Sequence, residues 1–167
     1  MGSEYRTNKD ELGKMCKQLK LVQGTSVEVG VLKGEHKWLA GIHEFGCDIP
    51  VTDKMRRYLA AQGLHLKKTT THIHIPERSF LRAGYDQNRD AVLKKANLLL
   101  ADVAAGRMSP EALYKAVGLE LSTAIKDYAT ELREPPNHPF TVEQKGSSNP
   151  LVDSGDMIEG ITWRKGE

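Results

Sequence analysis

Two histidines stand two apart, His72 and His74, in the run Thr71-His72-Ile73-His74-Ile75-Pro76-Glu77-Arg78-Ser79-Phe80-Leu81-Arg82. On a strand, residues at that spacing share a face, and an imidazole pair can bind a transition metal. His43, His65 or His138 could complete such a site and give metal-dependent hydrolase or nuclease chemistry. The ligand set is incomplete by motif. His43-Glu44 lacks the second His of an H-E-x-x-H, and the two cysteines, Cys16 and Cys47, form no C-x-x-C pair. The plainer expectation is that both histidines face solvent while Ile73 and Ile75 face a core. Ser154-Gly155 lies between Asp153 and Asp156, but no G-x-S-x-G surrounds it, so helix capping is its expected work. Neither a G-x-G-x-x-G nor a phosphate loop occurs. Catalytic residues, metal and cofactor are all expected to be none.

Charge offers a second kind of chemistry. From Lys54 to Pro76 there is no acidic residue, while Lys54, Arg56, Arg57, Lys67 and Lys68 are present. Such a patch could face DNA, as in a small DNA-binding module, or an acidic neighbouring subunit, or it could be a solvated surface. The whole chain, with a net charge of +2 over 167 residues, is too balanced to act as a nucleic-acid binder throughout. Its length fits one domain, residues 1–167, and aromatics are only 6%, so the core must be mostly aliphatic. Two isolated cysteines suit free thiols in a reducing cytoplasm. No apolar run approaches the roughly 20 residues of a membrane span, and no signal-peptide core is expected at the start.

The elements that must position these groups follow from periodicity. A helix is predicted over residues 4–20 and a half-buried strand over 26–32, where Val27, Val29 and Val31 alternate with polar residues. Residues 38–45 read as a helix with Trp38, Leu39, Ile42 and Phe45 on its apolar side, leaving His43 and Glu44 outside. Thr52 caps a short helix to residue 62, and Gly63 stops it. Residues 64–66 and the His72–Ile75 stretch are expected to pair as strand arms. Pro76 ends the second arm, and Phe80 and Leu81 anchor the seam. Two long helices follow, over 86–105 with Val92, Ala96, Leu99 and Val103 on one stripe, and from the Ser109-Pro110-Glu111 cap to about 133 with Leu113, Val117, Leu121, Ala124, Ile125, Tyr128 and Leu132 down one face. Residues 134–150 read as a polar loop, then a turn, a short helix and a last strand over 161–164. The expected fold is α+β. A small, mostly antiparallel sheet packs against two long helices, with an N-terminal helix and protruding segments at 64–75 and 134–150. Core anchors are expected at Val29, Phe45, Ile75, Phe80, Leu151 and Trp163. Arg78 and Arg82 are expected to pair with acids or a helix end.

Three blocks also carry a resemblance. One is Ala40-Gly41-Ile42-His43-Glu44-Phe45-Gly46. The second is Ile75-Pro76-Glu77-Arg78-Ser79-Phe80-Leu81-Arg82. The third runs from Pro135-Pro136-Asn137, with Pro139 and Thr141, through Lys145-Gly146 to Pro150-Leu151-Val152-Asp153-Ser154-Gly155-Asp156-Met157. In this order the chain resembles the phage virion morphogenesis family, the tail-completion or neck proteins of tailed bacteriophages. Residues 48–71 look like the version found in some Mu-like prophages. The second block usually reads Ile-Pro-Ala-Arg-Pro-Phe-Leu-Arg, so Glu77 and Ser79 depart from it. Ser154 stands where Thr is usual. The resemblance implies a structural virion protein acting without catalysis in tail completion or head–tail joining. Its partners would be other phage tail or neck proteins and further copies of itself in a ring. It would be located in the virion, assembled in the host bacterial cytoplasm, with no membrane partner. Candidate assembly contacts are Arg56, Arg57, Lys67, Lys68, Arg78 and Arg82, and the basic segment could touch packaged DNA.

Overall fold

Apolar residues at helical spacing dominate the second half of the chain, and there the core is built. The computed structural model describes residues 9–32, 34 and 36–166. Helix α1 (Lys9–Val22) is followed by strand β1 (Ser26–Val31), helix α2 (His36–Phe45), strand β2 (Cys47–Pro50), helix α3 (Asp53–Ala61) and strand β3 (His72–Ile75). Then come the long helices α4 (Phe80–Ala104) and α5 (Pro110–Glu131), short helices α6 (Pro139–Lys145) and α7 (Asp156–Glu159), and strand β4 (Ile161–Gly166). The architecture is α+β, as expected. The part of the expected first helix before Lys9 lies outside the described residues.

The strands form two separate antiparallel ribbons, β1 with β4 and β2 with β3. In the first, Val29 lies opposite Trp163 and Val31 opposite Ile161. This ribbon packs on α5, which in turn packs along α4, while α1 lies across α4. Phe80, Val92, Leu121, Ile125, Ala129, Leu151, Met157, Ile158 and Ile161 fill the space between these layers. The Trp163 indole lies directly on Gly118 of α5. Any Cβ there would overlap the ring, so only glycine allows the close approach of strand and helix.

Several expectations need correction. Strand β3 pairs with β2, with Cys47 opposite Ile75 and Pro50 opposite His72; it does not pair with residues 64–66. Residues 134–150 are not all loop. His138 accepts the Phe140 N–H, Pro139 opens a helix, and Gly146 closes it at φ 68°. Pro in the first turn and Gly just past the last were both visible in the sequence, but the surrounding Gly, Pro and polar residues masked them. Helix α4 begins at Phe80, six residues before the predicted start. Its cap is not local, so no local signal announced it.

Phe45 is not a core anchor. Its ring is 68% exposed. Helix α2 is rotated relative to its apolar pattern. Its buried residues are Ala40 and Glu44, one turn apart, and Trp38 is exposed along with Phe45. Phe80 and Leu151 are buried, whereas Val29, Ile75 and Trp163 are half-buried.

Candidate functional site

Burying a carboxylate costs several kcal/mol unless donors surround it. Glu44 is 2% exposed, and four donors surround it. Its Oε1 accepts from Ser79 Oγ at 2.9 Å, from the Arg82 N–H at 3.1 Å and from Arg82 Nε at 2.9 Å. Its Oε2 accepts from the Leu81 N–H at 2.8 Å. Two of these are free N–H groups in the first turn of α4. A side chain from α2 therefore caps α4, and the negative charge sits at the positive end of the helix dipole. Ser79 occupies the cap position, yet its hydroxyl donates to Glu44 and accepts no N–H of the helix. The hydrogen bond with Glu44 keeps the Arg82 guanidinium charged and raises its pKa further above the ordinary arginine value. Arg82 Nη2 also donates to the Glu44 carbonyl at 3.0 Å and to Glu77 at 2.7 Å. Its guanidinium lies 4.8 Å from the centre of the exposed Phe45 ring, a cation–π contact.

One turn of chain upstream, Arg78 is 3% exposed, so it is not available as a surface contact. Its guanidinium meets neither an acid nor a helix-end carbonyl; only its backbone N–H meets the end of α2. Nε donates to the Pro135 carbonyl at 2.7 Å, and Nη2 donates to the Pro136 carbonyl at 3.0 Å and Asn137 Oδ1 at 3.1 Å. Nη1 approaches His43 Nδ1 at 3.4 Å, while the Arg78 N–H donates to the His43 carbonyl at 2.7 Å. Arg78 thus clamps residues 135–137 onto α2. Burial lowers its pKa below the usual arginine value. The same crowding acts on His43. Burial first, then the charges of Arg78 and Lys145, bring its pKa down to about 4, so the ring is neutral at pH 7 and can accept from Arg78. Lys145 donates to the carbonyls of Asn149 and Pro150, and Asn137 Nδ2 reaches the Pro150 carbonyl at 3.4 Å.

The three sequence blocks, at 40–46, 75–82 and 135–157, therefore converge on one buried polar joint. Gly46, at φ 72°, sits so close to the next block that a Cβ would lie 2.9 Å from the Glu77 nitrogen. Chemically the joint is closed. Ser79 meets a carboxylate rather than an imidazole, and every buried side-chain polar atom among the described residues has a partner. Sequence reading missed Glu44 because it treats an acid beside an apolar stripe as solvent-facing. The available signal was an acid beside a helix-ending glycine with a buried-looking arginine pair downstream.

From this joint a long segment leaves the body. No residue from Phe45 to Glu77 is buried; β2 and β3 pack on each other, and α3 is held chiefly by the loop that follows it. Arg56 is spent inside it. Nη1 donates to the carbonyls of Leu66 and Lys67, and Nη2 to that of Thr70, tying the loop to α3. Arg57, Lys67 and Lys68 are exposed. His72 and His74 are exposed too. His72 meets Thr71, and His74 Nδ1 lies 2.8 Å from Asp48 on the paired strand. The described residues contain no group of three or more His, Cys, Asp or Glu placed to hold a metal, and none of their helices is long and apolar enough to cross a membrane. No protein family, curated protein or solved structure matches this chain.

Proposed function

We propose that this chain is a structural virion protein of the phage morphogenesis type. It acts in tail completion or head–tail joining through contacts with tail or neck proteins and with further copies of itself. The observation that carries the reading is the convergence of the three resemblance blocks. They lie far apart in sequence, yet Glu44 ties the first to the second, and Arg78 ties the second to the third. The residues that carry the resemblance are thus residues that set a shape, as a protein working by geometry requires. The mechanism follows from rigidity. A saturated joint fixes the angle at which the 47–75 segment leaves the core, and a fixed angle is what lets identical subunits close into a ring.

The test is genetic and visual. The gene would be removed from a phage or prophage that carries it, and the particles purified and imaged. Accumulation of unjoined heads and tails or of aberrant tails, with the chain present in wild-type particles by mass spectrometry, is the expected result. Normal infectious particles after removal would end the proposal.

A further inference from the structure

A segment that buries none of its own residues needs something to rest on. Residues 47–75 hold five Lys or Arg and two Asp, whereas the remaining 138 residues hold 19 basic and 20 acidic side chains. The arm is cationic and the body faintly anionic. On α3, Met55, Arg56, Leu59 and Ala60 turn toward the arm's own loop, and the opposite face presents Lys54, Arg57, Tyr58 and Ala61 to solvent. Tyr58 is 64% exposed, and neither Lys54 nor Arg57 has an ion-pair partner among the described residues. An aromatic ring flanked by two unpaired cations on a short amphipathic helix suits an acidic groove with an apolar floor.

The body has a shallow groove that carries two acids, one lysine and an exposed leucine. It lies along the outer side of α4 and α5, with a volume of about 370 Å³, and is lined by Lys95, Ala116, Leu119, Glu120, Thr123 and Asp127, with Ala124. Leu119 is 48% exposed. Glu120 and Asp127 are two turns apart on one face of α5. Glu120 pairs with Lys95, and Asp127 has no partner among the described residues. Helix α3 packs on neither α4 nor α5 of its own chain to any extent.

We propose that α3 of one copy lies in the α4–α5 groove of a second copy. Tyr58 rests on Leu119, and Lys54 and Arg57 face Asp127 and Glu120. The two patches are different surfaces of the same chain, so the contact is heterologous and propagates from subunit to subunit until the rotation closes it. This rests on the assembly reading above and names its first partner, another copy of the chain.

Sedimentation of the full chain over a range of concentrations and salt tests it. Wild type should self-associate, less so as salt rises, because exposed charges are screened. The double variants Lys54→Glu/Arg57→Glu and Glu120→Lys/Asp127→Lys alter exposed residues and should stay folded by circular dichroism. Each alone should weaken association by at least about tenfold. Mixed together, the two reversed proteins should associate again. A wild type that stays monomeric, an arm variant that associates like wild type, or a mixture that fails to recover would each overturn the contact. So would loss of duplex DNA binding by the arm variant with self-association intact, which would make the arm a nucleic-acid surface. A monomeric chain still found in purified particles would leave the assembly reading standing without this contact. A chain that associates through α3 but is absent from particles would do the reverse.

Discussion

Glu44 and Arg78 show how two charged side chains organise a fold. Glu44 accepts four hydrogen bonds from α4 and its cap, and two of them come from Arg82. Glu44→Ala leaves those donors without an acceptor and should cost about 3 kcal/mol, measured as a lower denaturation midpoint. Glu44→Gln keeps the shape and should cost less. Phe80 is fully buried at the same helix start. Phe80→Ala should therefore cost about 3–5 kcal/mol, and a variant melting like wild type would contradict its place in the core. His43 makes stability depend on pH. Its folded pKa, near 4, is below the ordinary 6.5, so between these values the unfolded chain binds the proton more readily. The contribution is complete above 6.5 and is lost as pH falls toward 4. Unfolding midpoints measured across that window should decline for wild type and decline less for His43→Gln.

At the scale of elements, the half-buried Trp163 of β4 lies directly on Gly118 of α5. Gly118→Ala should cost about 1–3 kcal/mol by forcing strand and helix apart, although alanine is the better helix former. The same substitution on an exposed helix face would stabilise, so the sign of the change separates the two cases. Arg56 works on a smaller unit. Its three carbonyl contacts hold residues 66–70 to α3. Arg56→Ala should speed amide exchange and proteolysis in that loop while the global melting temperature stays put, because no core residue depends on it. The helical stripes of α4 and α5 were legible from periodicity, since these helices bury one face against a broad core. Val92 and Val103, and Leu113, Leu121 and Ile125, are buried where the pattern places them. Helix α2 was legible as a helix over 38–45, but the face it buries was not. Its orientation is set by what Glu44 must reach, and periodicity registers only hydrophobicity.

The whole molecule divides into a body with a core and an arm without one. Cys47 and Ile75 face each other across the base of the arm. Replacing residues 48–74 with a tight two-residue turn should therefore leave the body folded, with a melting temperature shifted by no more than about 4 °C. A large loss would mean the arm supports the core after all. The same excision should remove self-association if α3 makes the contact between copies.

By itself the sequence determined the α+β class, the two long helices, the Thr52 and Ser109 caps and the last strand. Each of these is written in local spacing, capping chemistry or a turn residue. Tertiary structure alone decided that β3 pairs with β2, that α4 starts at Phe80, that Arg78 and Glu44 turn inward while Phe45 turns out, and that the arm begins at Cys47. The physical reason is common to all four. A cap, a strand partner or a counter-donor can come from anywhere in the chain, and a buried charge is tolerated only where distant backbone groups converge on it.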